Sequence, residues 1–281
     1  MNLPEINTSV FKRLRFVLVE TSRPGNIGAV ARAMKTMGFS QLVLVSPRFP
    51  DALQHEEAIA FASGAQDVLA GARIVSTVAE ALEGCNFAAA VSARLREFSP
   101  PVLTPRSLAA LLAGGAAANA AEEAVDTAGG EVAVIFGNER FGLPNQVVEQ
   151  CNVLINIPAN PDYSSLNLSQ AAQVLAYECR MAALDVEAGI QPEGGARVDA
   201  AAATSAGRIG FRGELAGLQQ IEGMYEHLER ALVAIDFLDA SNPKKLMPRL
   251  KRLFSRAQLE TEEVNILRGI ARQILATVKP R

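Results

Sequence analysis

Side chains able to handle a polar or phosphorylated ligand gather in three stretches of the sequence, each directly after a short apolar run. In the first, ETSRPGNIGAVARAMKTMGF, Gly25, Asn26 and Gly28 form a tight lead-in to a helix with Asn26 as its cap. Arg32 and Lys35, three apart, share a face away from the apolar stripe, a face suited to phosphate or ribose. In the second, AVIFGNERFGLP, Gly137 ends a strand and lets backbone approach a ligand closely, with Asn138, Glu139 and Arg140 alongside. In the third, LINIPANPDYSSLNLSQAAQVLAYE, Pro158 and Pro161 hold an extended loop. Ser164, Ser165 and Asn167 are there to cap a helix whose first turn presents free N–H donors. Each stretch alone also fits a plainer role: a capped surface helix with solvated charges, a strand-end turn, an ordinary strand-to-helix junction.

These stretches need a frame that brings strand ends together. Apolar runs rich in Val, Ile, Phe and Leu recur at Phe16 to Val19, Leu42 to Val45, Phe87 to Val91, Val132 to Phe136 and Val153 to Ile157, with helical patterns between most of them. Near-continuous apolar strands alternating with helices indicate an α/β fold whose parallel sheet is covered on both faces, and ligand loops emerge at its strand ends. The helix expected from about Asn26 to Met37 buries Ile27, Val30, Met34 and Met37, and Gly38 stops it. Leu108 to Gly130, dominated by Ala and Gly, reads as a helix with a loose end. The chain divides into a domain over 1–187, a Gly- and Ala-rich linker over 188–213, and a small all-helical domain over 214–281. In that last part Leu215 to Phe237 reads as an amphipathic helix. SNPKKLMPRLKRLF reads as a basic helix capped by Ser241 or Asn242. Val264, Leu267, Ile270 and Ile274 mark the buried face of a third helix.

Composition removes several chemistries. Cys85, Cys151 and Cys179 are widely spaced and odd in number, which gives neither a disulfide framework nor a CxxC pair and points to a reducing compartment. His55 and His227, far apart, leave little for a metal site or a Ser/His/Asp triad, so no metal is expected. No apolar run approaches the roughly 20 residues of a bilayer span, which predicts no membrane insertion and a cytoplasmic protein. Charge is unevenly spread. Asn242 to Arg281 holds ten Lys or Arg against three Glu, a net +7 in a chain of net −3, so an acidic body of −10 bears a basic end suited to a polyanion. Neither GxGxxG nor GxxxxGK is present, which argues against a dinucleotide-dependent dehydrogenase or a P-loop enzyme.

Taken in order, VETSRPGNIGAVARAMKTMGF, IFGNERFGLP and IPANPDYSSLNLSQAAQVLAYE closely resemble the three motifs of the SpoU/TrmH-like ribose methyltransferases of the SPOUT class. The pattern ETS…GN.G..ARAMK…G, with NILRGI at Asn265 to Ile270, looks like the TrmJ-type tRNA enzymes. The resemblance runs from about Arg15 to Arg180 and resumes in the C-terminal helices. It implies a parallel sheet whose C-terminal part is threaded into a trefoil knot, otherwise almost absent from proteins. It implies S-adenosyl-L-methionine as cofactor, held by Val91, Ser92 and Ala93 after one strand, by Gly137, and by Ile157, Ser164, Ser165 and Leu166. The family often has Thr where this chain has Val91, which leaves a backbone contact there in place of a hydroxyl, and the Ala-rich stretch before Glu131 is longer than usual.

By the same resemblance Arg32 belongs to the catalytic centre with Asn26 and Glu139 nearby, and Ser165 and Asn167 shape the pocket. A guanidinium holds its proton above a pKa of about 12 and only donates. Arg32 therefore reads as a clamp on a phosphate beside the target, stabilising the developing alkoxide, with the base left unassigned. Arg23, Arg94 and Arg96 are candidate RNA contacts at the pocket rim, and Lys244, Lys245, Arg249 and Arg252 candidate backbone contacts in the C-terminal domain. The implied substrate is tRNA, with cytidine or uridine methylated at conventional position 32 of the anticodon loop, and the implied assembly is a homodimer. A ribosomal RNA methyltransferase and a catalytically silent RNA binder with the same fold are the competing readings.

Overall fold

The computed structural model describes residues 9–94, 100–113, 130–190, 215–257 and 259–278. Arg96, most of the linker, the tail of the Ala-rich segment, Lys279 and Arg281 lie outside them. Helix α1 (Ser9–Arg13) leads into β1 (Leu14–Val19), followed by α2 (Pro24–Met37), β2 (Gln41–Val45), α3 (Glu56–Ala62), α4 (Gln66–Gly71), β3 (Arg73–Val75), α5 (Val78–Ala81) and β4 (Cys85–Val91). Then come β5 (Val102–Leu103), α6 (Pro105–Leu112), β6 (Glu131–Phe136), α7 (Asn145–Glu149), β7 (Val153–Ile155) and α8 (Leu168–Glu187). The chain ends in α9 (Leu218–Ala234), α10 (Leu246–Ser255) and α11 (Thr261–Thr277).

The seven strands form one sheet in the order β3-β2-β1-β6-β4-β7-β5, with every pair parallel. The chain winds one way from β1 to β2 and β3, and β6 and β4 lie on the other side. That reversal opens a crevice at the carboxyl ends of β1 and β6. β7, last in sequence, inserts between β4 and β5, two strands joined to each other by residues 92–101. Alternation sorts the side chains: Phe16 and Leu18 join one core layer, Val17 and Val19 the other. The first layer holds α2 and α8 against the sheet, with the Phe16 ring stacked on Phe136 at 5.9 Å and tilted against Phe39 at 5.5 Å. Truncating a ring buried this completely costs about 3–5 kcal/mol. The second layer packs α7, with Val147 and Val148, under Ile135 and Leu154. Arg15 is the charge inside this frame. Its guanidinium pairs with Glu131 and donates to the carbonyls of Ala81 and Glu83, so the buried cation is compensated.

Helix α2 follows its predicted stripe, with Ile27, Val30 and Met34 buried and Met37 partly so, and Gly38 closes it in the left-handed region at φ 91°. Its start differs from expectation. The cap position is Arg23, Pro24 occupies the first turn, and Asn26 lies inside the helix with its side chain engaged elsewhere. Gly28 has a packing reason: a Cβ there would meet the Ala58 carbonyl oxygen at 2.0 Å, so α3 crosses α2 at contact distance only because the side chain is absent.

The C-terminal helices close on their own cluster of Met224, Tyr225, Leu238, Met247, Leu259 and Val264. Two expectations shift here. No Ser or Asn side chain caps α10; Ser241 instead donates to Asp239 in the preceding turn, and the helix starts after Lys245. In α11 the buried stripe runs through Val264, Leu267 and Ala271, leaving Ile270 51% exposed. At about 100° per residue, position 271 returns to the face of Val264, whereas 270 falls to its side.

Candidate active site

Three loops leave the carboxyl ends of β1, β6 and β7 and meet in one chain of hydrogen bonds. After β1, Glu20 turns in the left-handed region (φ 51°), its N–H held by the Val45 carbonyl, and delivers Ser22 and Asn26 to the crevice. After β6, Asn138 organises the turn. Its Oδ1 accepts from the Arg140 and Phe141 N–H groups at 2.9 and 3.2 Å, its Nδ2 donates to the Glu20 carbonyl at 2.6 Å, and its own carbonyl accepts from Gly142 N–H at 2.8 Å. The turn folds back across Gly137, where a Cβ would lie 2.3 Å from the Gly142 carbonyl carbon and 2.4 Å from Leu143 N. Glycine at 137 is thus required by the chain's own backbone.

Glu139, set by that turn, accepts from Ser22 N–H at 2.9 Å and Ser22 Oγ at 2.8 Å through Oε2, and from Asn26 Nδ2 at 2.8 Å through Oε1. Asn26 Oδ1 accepts from Asn167 Nδ2 at 3.2 Å. Asn167 in turn caps α8, accepting from Ser169 N–H at 2.9 Å, while Gln170 takes the Asn167 N–H in a reciprocal capping box. Partial burial pushes the Glu139 carboxyl upward, but the donors from Asn26 and Ser22 outweigh it and hold the group below the ordinary carboxylate range. With both oxygens committed and its basicity reduced, Glu139 is an ionised acceptor that fixes Asn26 and Ser22.

Beside this network lies a cavity of about 480 Å³. All eight residues expected at the cofactor line it: Val91, Ser92, Ala93, Gly137, Ile157, Ser164, Ser165 and Leu166. Asn156 ties two of its walls together, its Nδ2 donating to the carbonyls of Ser92 and Ala93 at 3.2 and 3.3 Å, while Ser92 N–H donates to Ile155 O at 3.0 Å. Main-chain groups alternate with Val91, Phe136, Ile157, Leu166 and Leu168, a lining suited to a ligand with one flat apolar part and several polar ends. A second cleft of about 780 Å³ runs along the other side of the Asn138–Phe141 turn. Glu20, Ser22, Arg23, Asn26, Ser46, Arg48 and Asn167 complete its lining.

Of the other candidates, Arg23 is exposed on the second cleft and Arg94 on the first cavity. Arg32 is exposed on α2, makes no side-chain hydrogen bond or ion pair among the described residues, and lines neither cavity. Lys35, expected to share its face, instead bridges to Asp67 at 2.8 Å and to the Gly64 carbonyl at 2.9 Å. Lys244, Lys245, Arg249 and Arg252 are exposed; Lys251, beside them on the same helix, pairs with Glu222 at 3.0 Å. Burial raises the three thiols, Cys85 to about 11 and Cys151 and Cys179 to about 12, which keeps them protonated and inert. Among the described residues no three His, Cys, Asp or Glu side chains come together as a metal site, and no helix is long and apolar enough to cross a membrane. Ser22 and Asn156 hold site positions that the sequence reading leaves unmarked, and Asn138, marked there as beside the ligand, instead organises the turn. The available signal is a polar residue inside or shortly after an apolar run: Asn156 within Val153 to Ile157, Ser22 three positions past Val19.

Known proteins match the chain in two blocks. Residues 13–177 match the SpoU rRNA methylase family and residues 219–281 the tRNA methyltransferase TrmJ C-terminal domain. Among curated proteins, the chain is 44% identical over 258 residues to the tRNA (cytidine/uridine/adenosine-2′-O-)-methyltransferase TrmJ of Pseudomonas aeruginosa, covering 92% of each. It is 42% identical over 266 residues to the tRNA (cytidine/uridine-2′-O-)-methyltransferase TrmJ of Escherichia coli K12, covering 94% of this chain and 96% of that one. Among solved structures, TrmJ from Z. mobilis ZM4 superposes with a TM-score of 0.70 at 29% identity, covering 93% of this chain and 98% of that chain.

Proposed function

This chain belongs to the SpoU methylase family and ends in a TrmJ-type C-terminal domain, and from that premise we propose that it transfers a methyl group from S-adenosyl-L-methionine to a ribose 2′-hydroxyl of tRNA. The observation that carries the proposal is the convergence of three motif loops on one hydrogen-bonded chain, Ser22–Glu139–Asn26–Asn167, at the edge of a cavity lined by all eight cofactor candidates. The two relatives' names share cytidine and uridine, and our reading is a pyrimidine nucleotide at position 32 of the anticodon loop. The tRNA-type C-terminal match favours tRNA over ribosomal RNA. The retained network argues against a silent binder, which has no need of a fully satisfied polar chain beside an open cavity.

When bound, the cofactor supplies the electrophilic methyl group. The chain's task is to hold the hydroxyl in line and ease the loss of its proton. Ser92, Ala93, Gly137, Ser164 and Ser165 offer the polar groups that would hold the cofactor, and Leu166, Ile157 and Val91 the apolar ones. Glu139 keeps Asn26 and Ser22 aimed into the crevice, and with both oxygens already accepting hydrogen bonds it is read as a fixed acceptor. Asn167 couples Asn26 to the first turn of α8, so the ribose side and the cofactor side share one rigid element. Arg32, outside the cavity of its own chain, acts as a bidentate clamp on a phosphate of bound RNA.

A homodimer is part of this reading, and the exposed Tyr177 and Met181, one turn apart on α8, support it. So are a cytoplasmic location, a knot formed where β7 threads between β4 and β5, and a division of the chain into 1–187, a linker over 188–213, and 214–281. The basic residues of α10 and its approach supply sequence-independent affinity for tRNA backbone.

The test is methyl transfer from labelled S-adenosyl-L-methionine to bulk tRNA from a strain lacking the gene, followed by nucleoside mapping by mass spectrometry. A 2′-O-methylpyrimidine in the anticodon loop, lost with Arg32→Ala, is expected. Methylation of ribosomal RNA alone redirects the substrate, and cofactor binding without any transfer removes the enzymatic reading. Near-normal turnover by Arg32→Lys overturns the clamp, since an ammonium lacks the planar fork.

A further inference from the structure

Phe141 sits at the tip of the turn between the two cavities, lines both, and is 77% exposed. An exposed aromatic on a loose loop needs no explanation. This one is held. Its N–H and that of Arg140 both donate to Asn138 Oδ1, Gly142 N–H closes the turn onto Asn138 O, and Asn138 is itself pinned to Glu20. The ring is backed by the Arg140 guanidinium, 5.5 Å from its centroid. An aromatic carried on a fixed turn with a cation beside it is the arrangement on which an unstacked nucleobase rests, because every base has a π-face and a positively polarised platform strengthens the contact. The neighbouring cleft supplies the rest of a nucleotide seat. Arg48 and Arg23, both exposed, line it for phosphate; Glu139 lines both this cleft and the cofactor cavity, and Asn26, bonded to Glu139, lines the cleft side.

We propose that Phe141 is the stacking platform for the base of the acceptor nucleotide, seated in the second cleft with Arg48 gripping its backbone, so that its ribose lies against the Glu139–Asn26 wall. The proposal rests on the methyltransferase reading above and assigns the acceptor's position within it. A π-platform holds a base without reading its edges, so Phe141 governs how firmly the nucleotide is placed and leaves base identity to other contacts.

The chain contains no tryptophan, so Phe141→Trp introduces a single, selectively excitable tryptophan at the proposed contact. Its emission should be quenched by tRNA and much less by the same tRNA made abasic at the nucleotide that the wild-type enzyme methylates. In parallel, Phe141→Ala should raise the KM for tRNA by roughly 5-fold to 100-fold, leave the dissociation constant for S-adenosyl-L-methionine within about 2-fold, and be rescued in KM by Phe141→Trp. Arg48→Gln should weaken tRNA binding with a lower salt dependence. Equal quenching by intact and abasic tRNA, no quenching by either, or an unchanged KM in Phe141→Ala overturns the proposal. Failure of the underlying reading shows separately, as wild-type protein that transfers no methyl to any tRNA.

Discussion

The crevice at the ends of β1, β6 and β7 and the helical C-terminal region carry charge in opposite ways. In the crevice, Glu139 is partly buried and saturated by Ser22 and Asn26, and Asn26 and Asn167 are bonded in series over more than a hundred residues of sequence. In the C-terminal region Lys244, Lys245, Arg249 and Arg252 are exposed on and before one short helix, which packs on the internal cluster around Met224 and Tyr225. A reaction needs groups held within fractions of an ångström, which demands satisfied polar partners. Affinity for a polyanion needs only charge within a Debye length, and exposed side chains on a small fold supply it. Catalytic rate and tRNA affinity should therefore separate cleanly between the two regions.

The sharpest way to break that separation is Glu139→Ala, which strands three donors at once. The expected single-turnover methylation rate at saturating tRNA falls roughly 100-fold or more, with tRNA affinity within about 3-fold of wild type. A variant that instead loses affinity and keeps its rate makes the crevice a binding surface and removes the contrast. The converse is Lys244, Lys245, Arg249 and Arg252 all changed to Gln. There tRNA affinity is expected to drop about 10-fold or more at low salt, and the slope of log Kd against log salt to shrink by about 3. The rate at saturating tRNA should stay within about 2-fold. An unchanged salt slope would place the phosphate contacts elsewhere. Gly137→Ala sharpens the picture inside the crevice. Its Cβ must displace the Gly142–Leu143 backbone, at about 1–3 kcal/mol, so isothermal titration should show cofactor affinity reduced about 5-fold to 10-fold and the melting temperature lowered by a few degrees. Undiminished cofactor affinity would show that the turn has room to move.

Which parts of this were legible in the sequence follows from the range of the interactions. The α/β class, the stripe of α2 and its stop at Gly38 rest on local periodicity and appear as expected. β3 and β5, three and two residues long, carry too little pattern to be seen. Among site residues, the cofactor candidates gather because each ends a strand or lies in the loop after one, and parallel strands in one sheet deliver their ends to one side. Asn26 shows the limit. Its type and place suggest a helix cap, yet its partner is Glu139, 113 residues away, and no local signal distinguishes the two roles. Lys35 and Arg32 show another: the helical wheel puts them on one face, but the presence of Asp67 at the start of α4 commits one of them to structure. Ile270 lies three residues past Leu267 and Ala271 four past it, and the i+4 position is the one that is buried, a one-residue ambiguity inherent in a 3.6 period.

The smallest expected effect bears on whether Glu139 is a fixed acceptor or a titrating base. Its hydrogen bonds hold the folded-state pKa below the ordinary 4.5. A carboxylate depressed in the folded state adds stability that is complete above the unfolded pKa and lost as pH falls through the folded one. Wild type and Glu139→Gln should thus differ in denaturation midpoint by a constant amount from pH 8 to about pH 5.5, a difference of about 1 kcal/mol or less for a partly exposed group. The curves should converge only below pH 4.5, where the wild-type carboxyl takes up its proton and releases Asn26 and Ser22. Chemical denaturation at half-unit intervals resolves this. A gap that changes between pH 6 and pH 8 would mean that Glu139 titrates near neutrality, which would return it to the role of proton acceptor and make the crevice a site tuned by protonation, where fixed hydrogen bonds now account for it.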